Sequence, residues 1–161
     1  VEACNHFTCI SYSTIDFLIH SKYILFGIYL HNKIEDTHIS FENEILPHIS
    51  LGPFLEEHFF CKSIHECNVM LIMQKNDFDT SLQNSIVNYT GTDFPISGNF
   101  ALSVNSDIST KVIDLSILNM IPKGIRDKQM KCGVHAIGFS KHSLILISPD
   151  NLIRTVIGEN S

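Results

Sequence analysis

Histidine, serine and carboxylate crowd together in residues 38 to 54, HISFENEILPHISLGPF. The tripeptide His-Ile-Ser occurs twice, at 38–40 and 48–50, with Glu42 and Glu44 between the copies. Such a set can serve two chemistries. Imidazoles with hydroxyls two residues on can act as base and acid at a scissile phosphate, as in two-histidine phosphoesterases with an H-x-S/T motif on each of two strands. Alternatively, a strand can carry its acids on one solvent face and offer them to a cationic partner.

The hydrolase alternative, built on His38 and His48, needs motifs from two distant, similar halves of a fold. His6-Phe7-Thr8 is a third match, but none occurs after residue 50. His135-Ala136-Ile137 and His142-Ser143-Leu144 both lack the hydroxyl. Glu42 and Glu44 would also repel phosphate. The binding reading is therefore preferred, with no catalytic residues. From residue 38, one strand face would hold His38, Ser40, Glu42 and Glu44, and the other Ile39, Phe41, Asn43 and Ile45. Pro47, lacking an amide donor, would interrupt the ladder.

Other constellations are weaker. His58, Cys61, His65 and Cys67 have irregular metal spacing, so no metal is expected. No Gly-rich phosphate loop is present and no cofactor is expected. The five cysteines, Cys4, Cys9, Cys61, Cys67 and Cys132, include no C-x-x-C pair. They fit an oxidised secreted domain with two disulfides and one cysteine left over, the pairing open among all five. Asn88-Tyr89-Thr90 is a glycosylation sequon, which agrees with secretion.

The elements that must position these residues are mostly strands. The chain has 161 residues, 44% hydrophobic and 17% charged, enough for a single domain spanning 1–161 with a substantial core. Its opening, Val1-Glu2-Ala3-Cys4, reads as a processed chain or one domain of something longer. No apolar run reaches the roughly 18 residues of a membrane helix, so no membrane insertion is expected. Extended runs are expected at 10–18, 22–31, 67–74 and 111–118, with Ile113, Leu115 and Ile117 facing one way in the last. The run 22–31, apolar on both faces, suits a central strand. Ser148-Pro149-Asp150-Asn151 predicts a hairpin turn. Helices are expected only at 122–131 and, more faintly, at 78–87. The sum is an all-β, two-sheet sandwich with nine or ten strands and one or two short helices.

Charge divides the chain unevenly. Up to residue 110 there are 13 acids against four bases; afterwards there are four against seven. The acidic part should repel nucleic acid and attract a basic partner.

The blocks YSTIDF, ISFENEILPHISLGPF, HECNVMLIMQKNDF and SPDNLIRTVIG resemble the SECRET domain. That is the C-terminal chemokine-binding domain of secreted poxvirus tumour-necrosis-factor receptor homologues of the cytokine response modifier B and D type, related to the viral CC chemokine inhibitor. The resemblance covers nearly the whole chain. It implies a β-sandwich and a secreted, non-enzymatic decoy that neutralises host chemokines. Tumour necrosis factor would bind only through N-terminal receptor repeats, which this sequence lacks. Chemokines are basic, so the expected contact residues are Glu35, Asp36, Glu42, Glu44, Asp77 and Asp79. The basic stretch Lys123, Arg126, Lys128 and Lys131 should face away, with glycosaminoglycan attachment as its rival role.

Overall fold

The computed structural model describes residues 4–30, 37–64, 67–120 and 133–158. The chain is mostly β, with eleven strands in two sheets and short helices among the described residues. Sheet 1 has the order β8-β1-β2-β11-β10-β9, built from β1 (Cys4–Ser11), β2 (Ile15–His20), β8 (Asp107–Asp114), β9 (Leu118–Met120), β10 (Val134–Phe139) and β11 (Ser143–Ile147). Sheet 2 has the order β3-β6-β7-β5-β4, built from β3 (Phe26–Leu30), β4 (His38–Phe41), β5 (Glu44–Ser50), β6 (Asn68–Gln74) and β7 (Asn99–Val104). The helices are α1 (Gly52–Phe59), α2 (Thr80–Thr90) and α3 (Pro149–Val156).

The period-2 alternation of strands explains the core. Ile10, Phe17, Ile19, Val69, Leu71 and Leu102 come from facing strands of both sheets and pack into one cluster between them. Full burial of each such side chain is worth about 1.5–3 kcal/mol. Gly27 in β3 lets the sheets approach: a Cβ there would lie 2.6 Å from Ile108 Cδ1.

The opposite faces are buried too, because each sheet curls. In sheet 2, Leu46, Met70, Ile72 and Ala101 form a second cluster, covered by Ile28, Leu30, Ile39 and Phe41. Phe26 on one edge strand meets Phe41 on the other, ring centroids 5.5 Å apart, so the two edges close over that cluster. Sheet 1 encloses Phe7, Cys9, Leu18, Ile113 and Leu144, with Leu118 against them. Its edge strands β8 and β9 are joined by only the short 3-10 turn Leu115–Ile117.

Several local expectations are corrected. The run 10–18 folds back at Ser13-Thr14 into β1 and β2. The run 22–31 yields an edge strand, not a central one, with Phe26 and Tyr29 exposed. Residues 38–45 are a hairpin: Glu42 and Asn43 both take positive φ, 49° and 66°, in a two-residue turn. Pro47 lies inside β5, opposite His38. The run 111–118 breaks after Asp114, whose carboxylate accepts from the Ser116 amide at 2.9 Å. Leu115 and Ile117 are consequently half-exposed.

The predicted hairpin at Ser148–Asn151 is a helix start. Ser148 is the N-cap, Pro149 opens the first turn and Asp150 follows in it. Proline with a presets φ suits a helix N-terminus as well as a turn, and burial of Leu152 and Ile153 decides the matter. The helix expected at 78–87 is present as α2, capped by Asp79. The one expected at 122–131 lies outside the described residues.

Candidate functional site

The turn between β4 and β5 and the loop between α2 and β7 meet at one end of sheet 2. Glu42 is exposed at the tip of the hairpin. Glu44, two residues on, reaches across to that loop: Ser97 donates to its carboxylate from Oγ at 2.7 Å and from the backbone amide at 3.3 Å. The loop is held from the other side by β6. Gln74 Nε2 donates to the Ser97 carbonyl at 2.7 Å, and the Lys75 amide donates to the Gly98 carbonyl at 2.9 Å. Lys75 also lies over the Phe94 ring, 5.6 Å from its centroid.

Two isoleucines stand in solvent on this pinned frame. Ile45 is 55% exposed beside Glu44, and Ile96 is fully exposed beside Ser97. Asp77, in the 3-10 turn after β6, and Asp93, in the loop after α2, are both exposed. The result is a set of exposed isoleucines and carboxylates on segments whose backbone is fixed by hydrogen bonds from two strands. Such a surface loses little freedom when it meets a partner.

The predicted acids have separate fates. Glu42, Glu44 and Asp77 fall at this end of sheet 2. Asp79 does not serve as a free acid: it accepts from the Leu82 amide at 2.8 Å and is gripped by Arg154 Nη2 at 2.8 and 3.0 Å. The Leu82 amide, and then Arg154, hold its carboxyl below the usual aspartate range. Glu35 and Asp36 lie outside the described residues, as do Lys123, Arg126, Lys128 and Lys131. Sequence reasoning passed over Ser97, Ile45, Ile96 and Asp93. The available signal was Phe94-Pro95-Ile96-Ser97-Gly98, an isoleucine inside a Pro- and Gly-bounded loop where burial is not expected.

The two histidines of the hydrolase alternative do not converge. His38 pairs in register with Pro47, so His48 projects to the other side of the ladder. His38 is exposed, whereas His48 is 1% exposed and its Nε2 lies 2.8 Å from Ser103 Oγ.

The cysteines are dispersed. Among the described residues, Cys9, Cys61 and Cys67 stand as free thiols, and Cys132 lies outside them. Burial pushes the Cys9 thiol up and Cys61 up to about 11; Cys67 is raised by burial and then by Asp107. At neutral pH these are thiols, not thiolates. Among the described residues no group of three His, Cys, Asp or Glu could hold a metal. Asn88 is exposed on α2, but the sequon's Thr90 is buried and donates to the Ile86 carbonyl at 2.8 Å.

The fold has a solved counterpart. The chain is similar to the scaffolding protein TtCheW from Thermoanaerobacter tengcongensis, with a TM-score of 0.52 over 89% of this chain and 88% of that one. Identity between the two is 11%, so the likeness is one of fold alone. No protein-family profile matches the chain, and no curated protein matches it.

Proposed function

We propose that this chain is a non-enzymatic protein-binding module that holds a basic partner against the acidic end of sheet 2. The observation that carries the reading is the exposure of Ile45 and Ile96, each next in sequence to one member of the Glu44–Ser97 hydrogen bond, with the exposed acids Glu42, Asp77 and Asp93 on the segments around it. Desolvated isoleucines slow release, and the carboxylates steer encounter and select a cationic face. No bond in the partner is made or broken.

Two specific forms of this module are proposed. The first is an assembly scaffold. It is supported by the fold shared with a scaffolding protein and by three free thiols, which suit a reducing compartment. The second is the secreted chemokine decoy implied by the resemblance to the SECRET domain. It is supported by the acidic end itself, which complements a small basic protein.

The experiment has two arms. A thiol titration of the denatured, unreduced protein should find three or more thiols for the scaffold and one for the oxidised decoy. Surface capture against a panel of basic chemokines should give a complex for the decoy and none for the scaffold. Under either form, Glu42→Lys with Glu44→Lys should weaken the captured partner roughly tenfold or more at low salt. A partner whose affinity is unmoved by that reversal and by Ile45→Ser with Ile96→Ser would end the assignment to this surface.

A further inference from the structure

We propose that the mouth of the curled sheet 1, at the His20 end of β2, binds a small amphipathic anion: a monocarboxylate with an apolar chain or ring. Register brings five strand ends together at this mouth. Phe7 of β1 pairs with His20, the last residue of β2. β8 reaches the same end, because Ile113 and Asp114 pair with Asn5 and Cys4. β11 runs parallel to β2 and ends at Ile147, opposite Val134 at the start of β10. A cavity of about 350 Å³ opens there, within the range of small-molecule sites. Much of its lining is apolar: Phe7 and Leu146 belong to the cluster inside the curl, and Leu115 is half-exposed.

The titratable groups that line the cavity are His20, Lys22, Tyr23 and His135, and no acid lines it. Alternation puts His20 on the same face of β2 as Leu18, which is buried inside the curl, and the His20 ring meets Phe7 edge-on with centroids 5.4 Å apart. Its Nδ1 accepts from the Lys22 amide at 3.1 Å, which leaves Nε2–H to donate. Burial, then Lys22 and His6, hold the His20 pKa below the usual histidine value, so the ring stays a neutral donor at neutral pH. Lys22 supplies the charge. Its ammonium lies 5.1 Å from the centroid of the Tyr23 ring, and among the described residues it has no carboxylate partner. The acids on the flanking elements are already engaged: Asp114 accepts from the Ser116 amide and Asp150 from Ser148 Oγ. One cation and one neutral donor match a single carboxylate, whose two oxygens each take a hydrogen bond while the apolar walls cover the rest of the ligand. A phosphate dianion would find one permanent cation among the lining residues.

The test is amide-shift mapping of the intact chain with hexanoate and phenylacetate, and with hexanamide and phenylacetamide as their neutral counterparts. At least one acid should move the amides of Phe7, His20, Lys22, His135 and Leu146, and its neutral counterpart should bind roughly tenfold more weakly. Lys22→Met removes the charge at an exposed position, so the fold should stay intact. It should weaken the acid roughly fivefold or more and leave the neutral counterpart unmoved. His20→Phe keeps a ring against Phe7 but removes the donor, and it should weaken both. Glu42→Lys with Glu44→Lys should change neither, which separates this mouth from the acidic end of sheet 2. Silence with both acids overturns the proposal. So does a neutral counterpart that binds as tightly as its acid, or an acid whose affinity Lys22→Met leaves unchanged. A peptide ending in a free phenylalanine carboxylate that shifts the same amides while both acids stay silent also overturns it, and assigns the mouth to a partner's C-terminus.

Discussion

Inside the curl of sheet 1 the buried polar group is Asp16; inside the curl of sheet 2 it is the pair His48 and Ser103. Asp16 is reached from the rim by Lys111 Nζ at 3.5 Å and by His142 Nδ1 at 3.1 Å, and the Lys111 side chain is 44% exposed. His48 and Ser103 satisfy each other at 2.8 Å on neighbouring parallel strands. One curl therefore ties its carboxyl side chain to a solvent-facing lysine and a histidine. The other shares a hydrogen bond between two nearly fully buried side chains. The difference teaches where each half should be sensitive: sheet 1 to salt, sheet 2 to any change of side-chain shape.

The largest effects should treat the two curls alike. Leu18→Ala in the first and Ile72→Ala in the second each empty a fully buried site. Each should cost about 2–5 kcal/mol in denaturant unfolding. A cost in one curl alone would show that the other curl is not a closed core.

The next test separates them. Ser103→Ala leaves His48 without this hydroxyl and should cost about 1–3 kcal/mol, the same at low and high salt. A double-mutant cycle with His48→Leu should show coupling, because the two residues share one bond. In sheet 1, Lys111→Met or His142→Ala should each cost about 1 kcal/mol at low salt, and the Lys111 effect should fade as salt is added. A salt-dependent Ser103→Ala or a salt-independent Lys111→Met would break the comparison.

These polar partners explain what could be read in advance and what could not. The extended run 67–74 was legible because its apolar side chains face both ways, and β6 lies inside sheet 2, between β3 and β7, with a cluster on each side. The two-sheet, mostly β architecture was legible for the same reason. Turns inside apolar runs were not. Ser13-Thr14 and Glu42-Asn43 reverse the chain without glycine or proline, so local composition hid both. Of the acids at the acidic end of sheet 2, Glu42 was legible as exposed charge, whereas Glu44 is half-buried. The partner that positions Glu44, Ser97, is 53 residues away, and no spacing rule connects them. The capping role of Asp79 was not read in advance, because an aspartate before Thr-Ser-Leu suits a helix cap as well as a surface charge.

The smallest effect concerns that cap, which joins a helix from the sheet 2 side to the C-terminal helix. Asp79 has its folded carboxyl pKa depressed, first by the Leu82 amide and then by Arg154. Its contribution is present above the unfolded value and lost as pH falls through the folded one. Acid unfolding followed by circular dichroism should therefore be shallower below about pH 4 for Asp79→Ala than for the parent. An identical acid limb would remove Asp79 from the account.

The sheets also differ in where along the chain they are made. Sheet 2 draws all five strands from the continuous span 26–104, whereas sheet 1 takes β1 and β2 from the start and β8 to β11 from the end. The parallel pairing of β2 with β11 closes only when Ser143–Leu146 arrives. As the polypeptide leaves the ribosome, sheet 2 can assemble while the first two strands wait, their apolar faces uncovered, for partners still being translated. A truncation before residue 143 should keep the central half ordered and leave the amino-terminal hairpin a target for chaperones.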